Sequence, residues 1–445
     1  MDSPARTLAL RTATLLVVAN IIGTGIFTAT GLLLSAVGST WIVLLLWGLG
    51  GLVALAGALC YAELSTAIPQ NGADATLLGR MYHPSLGFVA AVVSLVVGFA
   101  GPVASAGLAL EEYLLPLLLT SIPPKLIGFL VIVSLTALHA RDVSGAAKAQ
   151  DALTLPKIVV LVLMGILLVA YGSTSHVGAN DPKQAADALG QAGIGGAFIL
   201  VAYAYSGWNG AAYVAGEVKD PVRNLPRALV LGTLVVTGIY LLLNVGFLLA
   251  APFETLAGRK DIGAAAAEAA FGPTGRVVVS VVIGLGYISA IGAWIMAGPR
   301  VYAATAAPLP RLSWLARRNV RGAPANAVWF QTVLTLVLFF ASGLASLLTF
   351  MGILLSLSSA LTVLGLIVLR VREPGLARPY RVPLYPFTPL LAGGVLLWMV
   401  VLALTEDSMA ALWCGATVTT GVALYLLVRG GAGSAQDRSS GETLS

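Results

Sequence analysis

Three groups of residues have types and spacings that could do chemistry. The first is Gly23-Thr24-Gly25, in the middle of the apolar stretch VVANIIGTGIFTATGLLL (17–34). A glycine in a helix interior costs about 1 kcal/mol relative to alanine. Two of them flanking a threonine at membrane depth therefore predict a spanning helix that is broken there. Unwound backbone at that depth is tolerated only where it lines a protein or water cavity. The half that begins at Ile26 would aim free N–H groups and a positive dipole end into the cavity, which suits a small anion such as a carboxylate. The second group, Ser206-Gly207-Trp208-Asn209-Gly210, interrupts AFILVAYAYSGWNGAAYVAGEV (197–218) in the same way. The third is Lys157, seven residues beyond Gln150 in another apolar run. An unpaired lysine near a helix centre costs roughly 2.5–3.5 kcal/mol on insertion scales. Each has a plainer reading on its own. Small residues let membrane helices approach closely, a tryptophan packs or anchors at the interface, and a lysine snorkels to the surface.

The elements that must position these groups follow from composition. The 445 residues are 58% hydrophobic and 10% charged, with a mean hydropathy of +0.92. A soluble domain carries about 25% charged residues, so an all-α polytopic membrane protein is expected. Runs of about 20 apolar residues suffice to span. They fall near 12–37, 40–67, 86–118, 125–140, 150–171, 193–217, 227–251, 274–305, 325–341, 345–370, 387–404 and 408–428, which predicts about twelve spans in a single domain covering 1–428. IGAAAAEAAFG (262–272) reads as a short surface helix between spans. With the N-terminus in the cytoplasm, 19 of the 25 basic residues lie in cytoplasmic segments, 5 lie outside and Lys157 lies within a span. The positive-inside rule therefore predicts cytoplasmic termini in an inner or plasma membrane. The N-terminal segment reads as uncleaved, and residues 429–445 as a disordered cytoplasmic tail. The two interrupted runs are five spans apart and enter from opposite sides. That is the pattern of an inverted-repeat transporter, with halves at about 12–171 and 193–370 and extra helices at 387–428.

Several segments also resemble the amino acid–polyamine–organocation transporters. NIIGTGIF (20–27) is similar to their first-helix motif and CYAELSTAIPQNGAD (60–74) to their second helix and following loop. QDALTLPKIVVLV (150–162) is similar to their fifth helix, and AYSGWNGAAYVAGEVKDPVRNLPRAL (204–229) to their sixth helix and the loop beyond. AGPRVYAATA (297–306) and RPYRVPLYPFTP (378–389) fit the eighth helix and the loop before the eleventh. Gly207-Trp208-Asn209 and the Gln150-Asp151…Lys157 spacing look closest to the L-type and bacterial alanine/serine exchanger branch. The resemblance implies a LeuT-type 5+5 inverted repeat with helices 1 and 6 broken. It also implies alternating access to one small or neutral amino acid, by exchange or proton symport. Amides around Gly23, Thr24, Gly25 and Ile26 would hold the substrate carboxylate, and the carbonyls of Ile21 and Tyr203 its amino group. The stretch Ala204, Tyr205, Ser206, Gly207 and Trp208 would complete the pocket, with Tyr205 and Ser206 facing the side chain. Lys157, with Ser289 as a second member, would substitute for a bound sodium ion and tether the broken first helix, which predicts sodium-independent transport.

Rival classes are constrained. The spans contain no HExxH, paired aspartates or clustered histidines, so an enzyme is not expected, nor is a metal or other cofactor. Net charge of +6 reflects the cytoplasmic loops rather than nucleic-acid binding. The expected partners are a small-molecule amino acid and the lipid bilayer. No cysteine lies in an outside loop, so no disulfide-linked partner is expected. An amino acid sensor or binding subunit could keep the same site without flux, and a cationic amino acid or polyamine transporter remains an alternative. Glu63 reads as a loop-pairing carboxylate, and Glu111-Glu112 as solvated.

Overall fold

In the computed structural model, residues 8–70, 72–118, 122–141, 144–177, 183, 193–306, 312–320 and 323–441 are described. The first apolar run forms α1 (Leu10–Ile21) and α2 (Gly25–Val37), separated at 22–24. α2 ends at Gly38, whose left-handed backbone (φ 65°) lets its N–H return to Leu34 O at 2.9 Å, closing an orphan carbonyl. Next come α3 (Thr40–Ala67), capped by the Ser39 side chain, and the short α4 (Ala73–Met81). α5 (Pro84–Val93) starts on Pro84, which needs no N–H partner in a first turn. A π-helical turn at Ser94–Ala100 joins it to α6 (Gly101–Leu114). Pro102 explains that turn, because its ring would strike the carbonyl four residues back in a regular helix.

The chain continues through α7 (Leu126–Arg141), α8 (Ser144–Tyr171) and α9 (Gly193–Tyr205). Beyond α9 the sixth run turns at 206–209 and goes on as a 3-10 segment, Gly210–Glu217. α10 (Pro221–Ala250), the short α11 (Phe253–Leu256), α12 (Ile262–Ala306), α13 (Ala325–Ala341), α14 (Leu344–Arg372), α15 (Phe387–Glu406) and α16 (Ser408–Gly441) complete the order. Among the described residues the only β pairing is a single bridge between Leu8 and Val218.

Eight helices among the described residues are long and apolar enough to cross a membrane, and α7, α13 and the 156–171 part of α8 are shorter apolar helices. The run at 193–217 is divided by its turn. Large apolar side chains such as Leu52, Leu130, Leu285 and Leu412 stand exposed, as expected where the surrounding solvent is lipid rather than water. Inside, α10 packs on α3, α8 and α1, and α9 packs on α2, α14 and α15, so both interrupted runs lie within the bundle.

Two local expectations are corrected. The segment after Asp261 is helical and breaks from the following span at Gly272 (φ 71°), but Ala264, Ala265, Ala266 and Ala267 are buried. Small side chains let this helix press into the bundle instead of lying on it. Glu111 is buried rather than solvated. Its carboxylate accepts from Gly128 N at 3.0 Å and Lys125 N at 2.5 Å, satisfying free N–H groups at the start of α7. Glu112 stays near the surface, paired with Lys260 at 3.0 Å.

Candidate functional site

The two breaks touch each other. A Cβ added at Gly25 would sit 2.5 Å from Ala204 Cβ, and one at Gly207 would sit 2.7 Å from Asn20 O. Gly207 also holds φ at +102°, a conformation that L side chains rarely adopt. These two glycines let the backbone of one broken helix pass directly against the other. Gly25 thus clears Ala204, which is buried to 2% exposure, and Gly207 clears the backbone at Asn20.

At the first break, α1 ends in carbonyls that no intrahelical amide satisfies. Ile22 O accepts from Lys157 Nζ at 2.7 Å, so α8 places an ammonium at the negative end of this half-helix. Ile21 O accepts from the Tyr240 hydroxyl at 2.9 Å. The same hydroxyl lies 3.1 Å from Ala204 O, so one proton donor on α10 serves the carbonyl ends of both breaks. On the other side of the break, Thr24 directly precedes α2 without capping it through its side chain; its hydroxyl instead lies 3.0 Å from the Tyr203 hydroxyl and 3.4 Å from that of Ser105. Thr24 O in turn receives Thr28 Oγ1 at 3.1 Å and Phe27 N at 3.2 Å. Ile26 is fully buried in the first turn of α2.

The structure distributes the remaining sequence candidates around this junction. Tyr203 O is engaged by Ser206 N at 2.9 Å in the turn, while its side chain reaches Thr24. Ser206 is half-buried. Tyr205 is fully buried and directed at α3, donating to Trp47 O at 3.1 Å and stacking near the Trp47 and Tyr240 rings. Trp208 also packs on α3, so close that a Cβ at Gly57 would come within 2.7 Å of its indole. Ser289 is half-buried on α12, and no hydrogen bond joins it to Lys157 among the described residues. Beside Gly23 and Lys157 lies a cavity of about 30 Å³, lined also by Phe27, Gly286, Tyr287 and Ala290. A water needs about 10–15 Å³ of such space, so this gap admits a couple of waters and is too small for an amino acid.

Tyr240 and Ser105 lie outside the two interrupted runs that mark the site in the sequence. For Tyr240 a signal exists: Thr233, Thr237, Tyr240 and Asn244 recur every three or four residues in an otherwise apolar run, giving α10 one polar stripe. Thr233, Tyr240 and Asn244 are fully buried, and Asn244 accepts a short bond from Thr30 of α2. Ser105 carries no comparable pattern. Among the described residues no group of three or more His, Cys, Asp or Glu could hold a metal, and Cys60 and Cys414 are buried and free.

A helical membrane bundle with two abutting helix breaks is the architecture of a transporter site rather than of an enzyme. The comparison with known proteins agrees: residues 8–427 match the amino acid permease family, and the chain belongs to it. The human large neutral amino acids transporter small subunit 2 is 30% identical over 428 residues, covering 93% of this chain and 78% of that protein. The serine/threonine exchanger SteT of Bacillus subtilis is 28% identical, covering 92% of both chains. The mouse b(0,+)-type amino acid transporter 1 is 27% identical, covering 93% and 85%. The protein is a multi-pass membrane protein of amino acid transport, not an enzyme.

Proposed function

We propose that this chain moves small neutral amino acids across the plasma membrane by alternating access, without sodium, as an exchanger. The observation that carries this reading is the Lys157 ammonium on Ile22 O. A fixed positive charge there does what a bound cation would do for the end of the broken helix, and needs no ion gradient to stay. The proposed frame is a 5+5 inverted repeat of twelve spans with both termini cytoplasmic. Substrate carboxylate docks on the amides at Gly23, Thr24, Gly25 and Ile26. Its ammonium competes for Ile21 O and Tyr203 O, which Tyr240 and Ser206 N now occupy. Ser206, half-buried at the turn, faces the substrate side chain. Because the adjoining gap is so small, substrate entry must part elements around the breaks, and a ligand drives that only through its differential affinity for the open and closed forms.

One of the relatives supports exchange by its name, the serine/threonine exchanger SteT. The test is uptake of labelled alanine and serine into proteoliposomes, preloaded with unlabelled amino acid or empty, with and without sodium. Uptake that requires preloading and ignores sodium is expected. Uptake into empty vesicles driven by an inward proton gradient would replace exchange with symport, and a sodium requirement would overturn the role given to Lys157.

A further inference from the structure

Asp74 stands in the first turn of α4 at 3% exposure, and the transport reading makes no use of it. Three hydroxyls surround its carboxyl. Tyr61 of α3 bonds Oδ1, Ser358 of α14 bonds Oδ2 at 2.8 Å, and Thr362 of α14 reaches Oδ1 at 3.3 Å. The Asn209 side chain, where the sixth run resumes after its turn, lies beside it. The same corner is tied by Gly72 N to Tyr213 O at 3.3 Å. One carboxyl thus joins α4 to α3, to α14 and to the second half of the broken sixth run.

No cation among the described residues pairs with it. The titratable groups that face it are the phenols of Tyr61 and Tyr213. Cations on neighbouring elements are committed elsewhere: Arg80 to Glu373, Arg370 to Glu63, and Arg372 to the carbonyls of Met81 and Tyr82. His83, at the start of α5, bonds Ser85. A carboxylate buried without a counter-charge is costly, and an amide or hydroxyl would make the same bonds at less cost. Hydroxyls, unlike ammonium or guanidinium groups, accept as readily as they donate. This shell therefore serves a neutral acid as well as an anion. Burial pushes the Asp74 carboxyl above the usual carboxylate range, although the hydroxyls pull the other way.

We propose that Asp74 is a proton-binding site of the inner gate. It holds a proton while α4 is packed on α14 and the sixth run, and passes it to cytoplasmic water when they part. On reclosure the carboxylate takes a proton back from the same side, so the cycle consumes none. Low cytoplasmic pH then stabilises the closed inner gate, and rising pH favours its opening. The sidedness rests on the proposed orientation and alternating access; the proton itself does not.

Two readouts separate those dependencies. Infrared spectra of the purified protein in lipid, titrated from pH 5 to 9 (about two units either side of neutrality), should contain a protonated-carboxyl C=O band that Asp74→Asn removes. Exchange of labelled alanine, with internal pH varied at fixed external pH, should show a dependence that Asp74→Asn flattens. Ser358→Ala deletes one donor to the carboxylate and should shift both midpoints upward by roughly one pH unit. That variant also decides the matter if Asp74→Asn does not fold. An unchanged band in Asp74→Asn, or an unmoved midpoint in Ser358→Ala, overturns the proposal. Absence of any amino acid flux while the band behaves as expected would refute the transport mechanism and leave the proton site standing.

Discussion

Replacing Lys157 by methionine keeps the stem and removes the charge at the end of α1. Among the described residues this ammonium has one carbonyl partner, Ile22 O at 2.7 Å. A hydrogen bond to a charged group is worth about 1.5–3 kcal/mol, or roughly 10- to 150-fold in an equilibrium at 1.4 kcal/mol per decade. If the bond holds α1 in place only when the site is closed on the inner side, its loss biases the transporter open. Exchange at low substrate should then fall by about that factor, while expression and elution as a folded species are retained. The assay is counterflow of labelled alanine in proteoliposomes, normalised to the amount of inserted protein. A wild-type rate in Lys157→Met, within threefold, would refute the reasoning and return Lys157 to a snorkelling role. Restoration of that variant by sodium would show that a cation site had been recreated.

Other expectations concern packing and pairing. Gly25→Ala would drive a methyl to 2.5 Å from Ala204 Cβ, and overpacking of this kind costs about 1–3 kcal/mol, so its melting temperature should drop. Gly23→Ala meets nothing closer than 3.8 Å and should melt with the wild type; equal melting of the two variants would argue against the close contact. Arg370→Ala strands Glu63, which is fully buried and held by the guanidinium at 2.6 and 2.9 Å and by Val382 N at 2.7 Å. The expected loss is about 3 kcal/mol, the low end for a broken buried pair, because Arg378 waits 3.6 Å away. Adding Glu63→Gln should recover most of it in thermal unfolding, and no recovery would mean that Arg370 acts through its stacking on Tyr385, 3.7 Å from the ring centroid. Tyr240→Phe leaves Ile21 O and Ala204 O without their shared donor, which should change the apparent affinity for alanine several-fold with little change in folded yield.

How far the sequence reaches depends on whether the signal is local. Gly23-Thr24-Gly25 and Ser206–Gly210 could be read directly, because glycine and polar residues inside an apolar run disturb the helix at that place whatever surrounds it. The abutment of Gly25 on Ala204 and of Gly207 on Asn20 could not. It depends on the relative placement of two helices about 180 residues apart. Lys157 was conspicuous as a charge in a span, but its particular partner, Ile22 O, is a backbone atom and leaves no mark in residue type. The same holds for Glu111, whose acceptor role is owed to free amides at the start of α7. The case of Tyr205 is instructive in another way. The family resemblance implies a pocket residue there, yet α9 is still helical at Tyr205, and helical geometry turns the ring about 100° from its neighbour's direction, onto Trp47. Residues on the helical side of a break follow the helix, and those within the turn are free of it. The division of roles between Tyr205 and Ser206 therefore follows from where the helix stops, and Asn209, at the far end of that turn, turns its side chain away from the junction to lie beside Asp74.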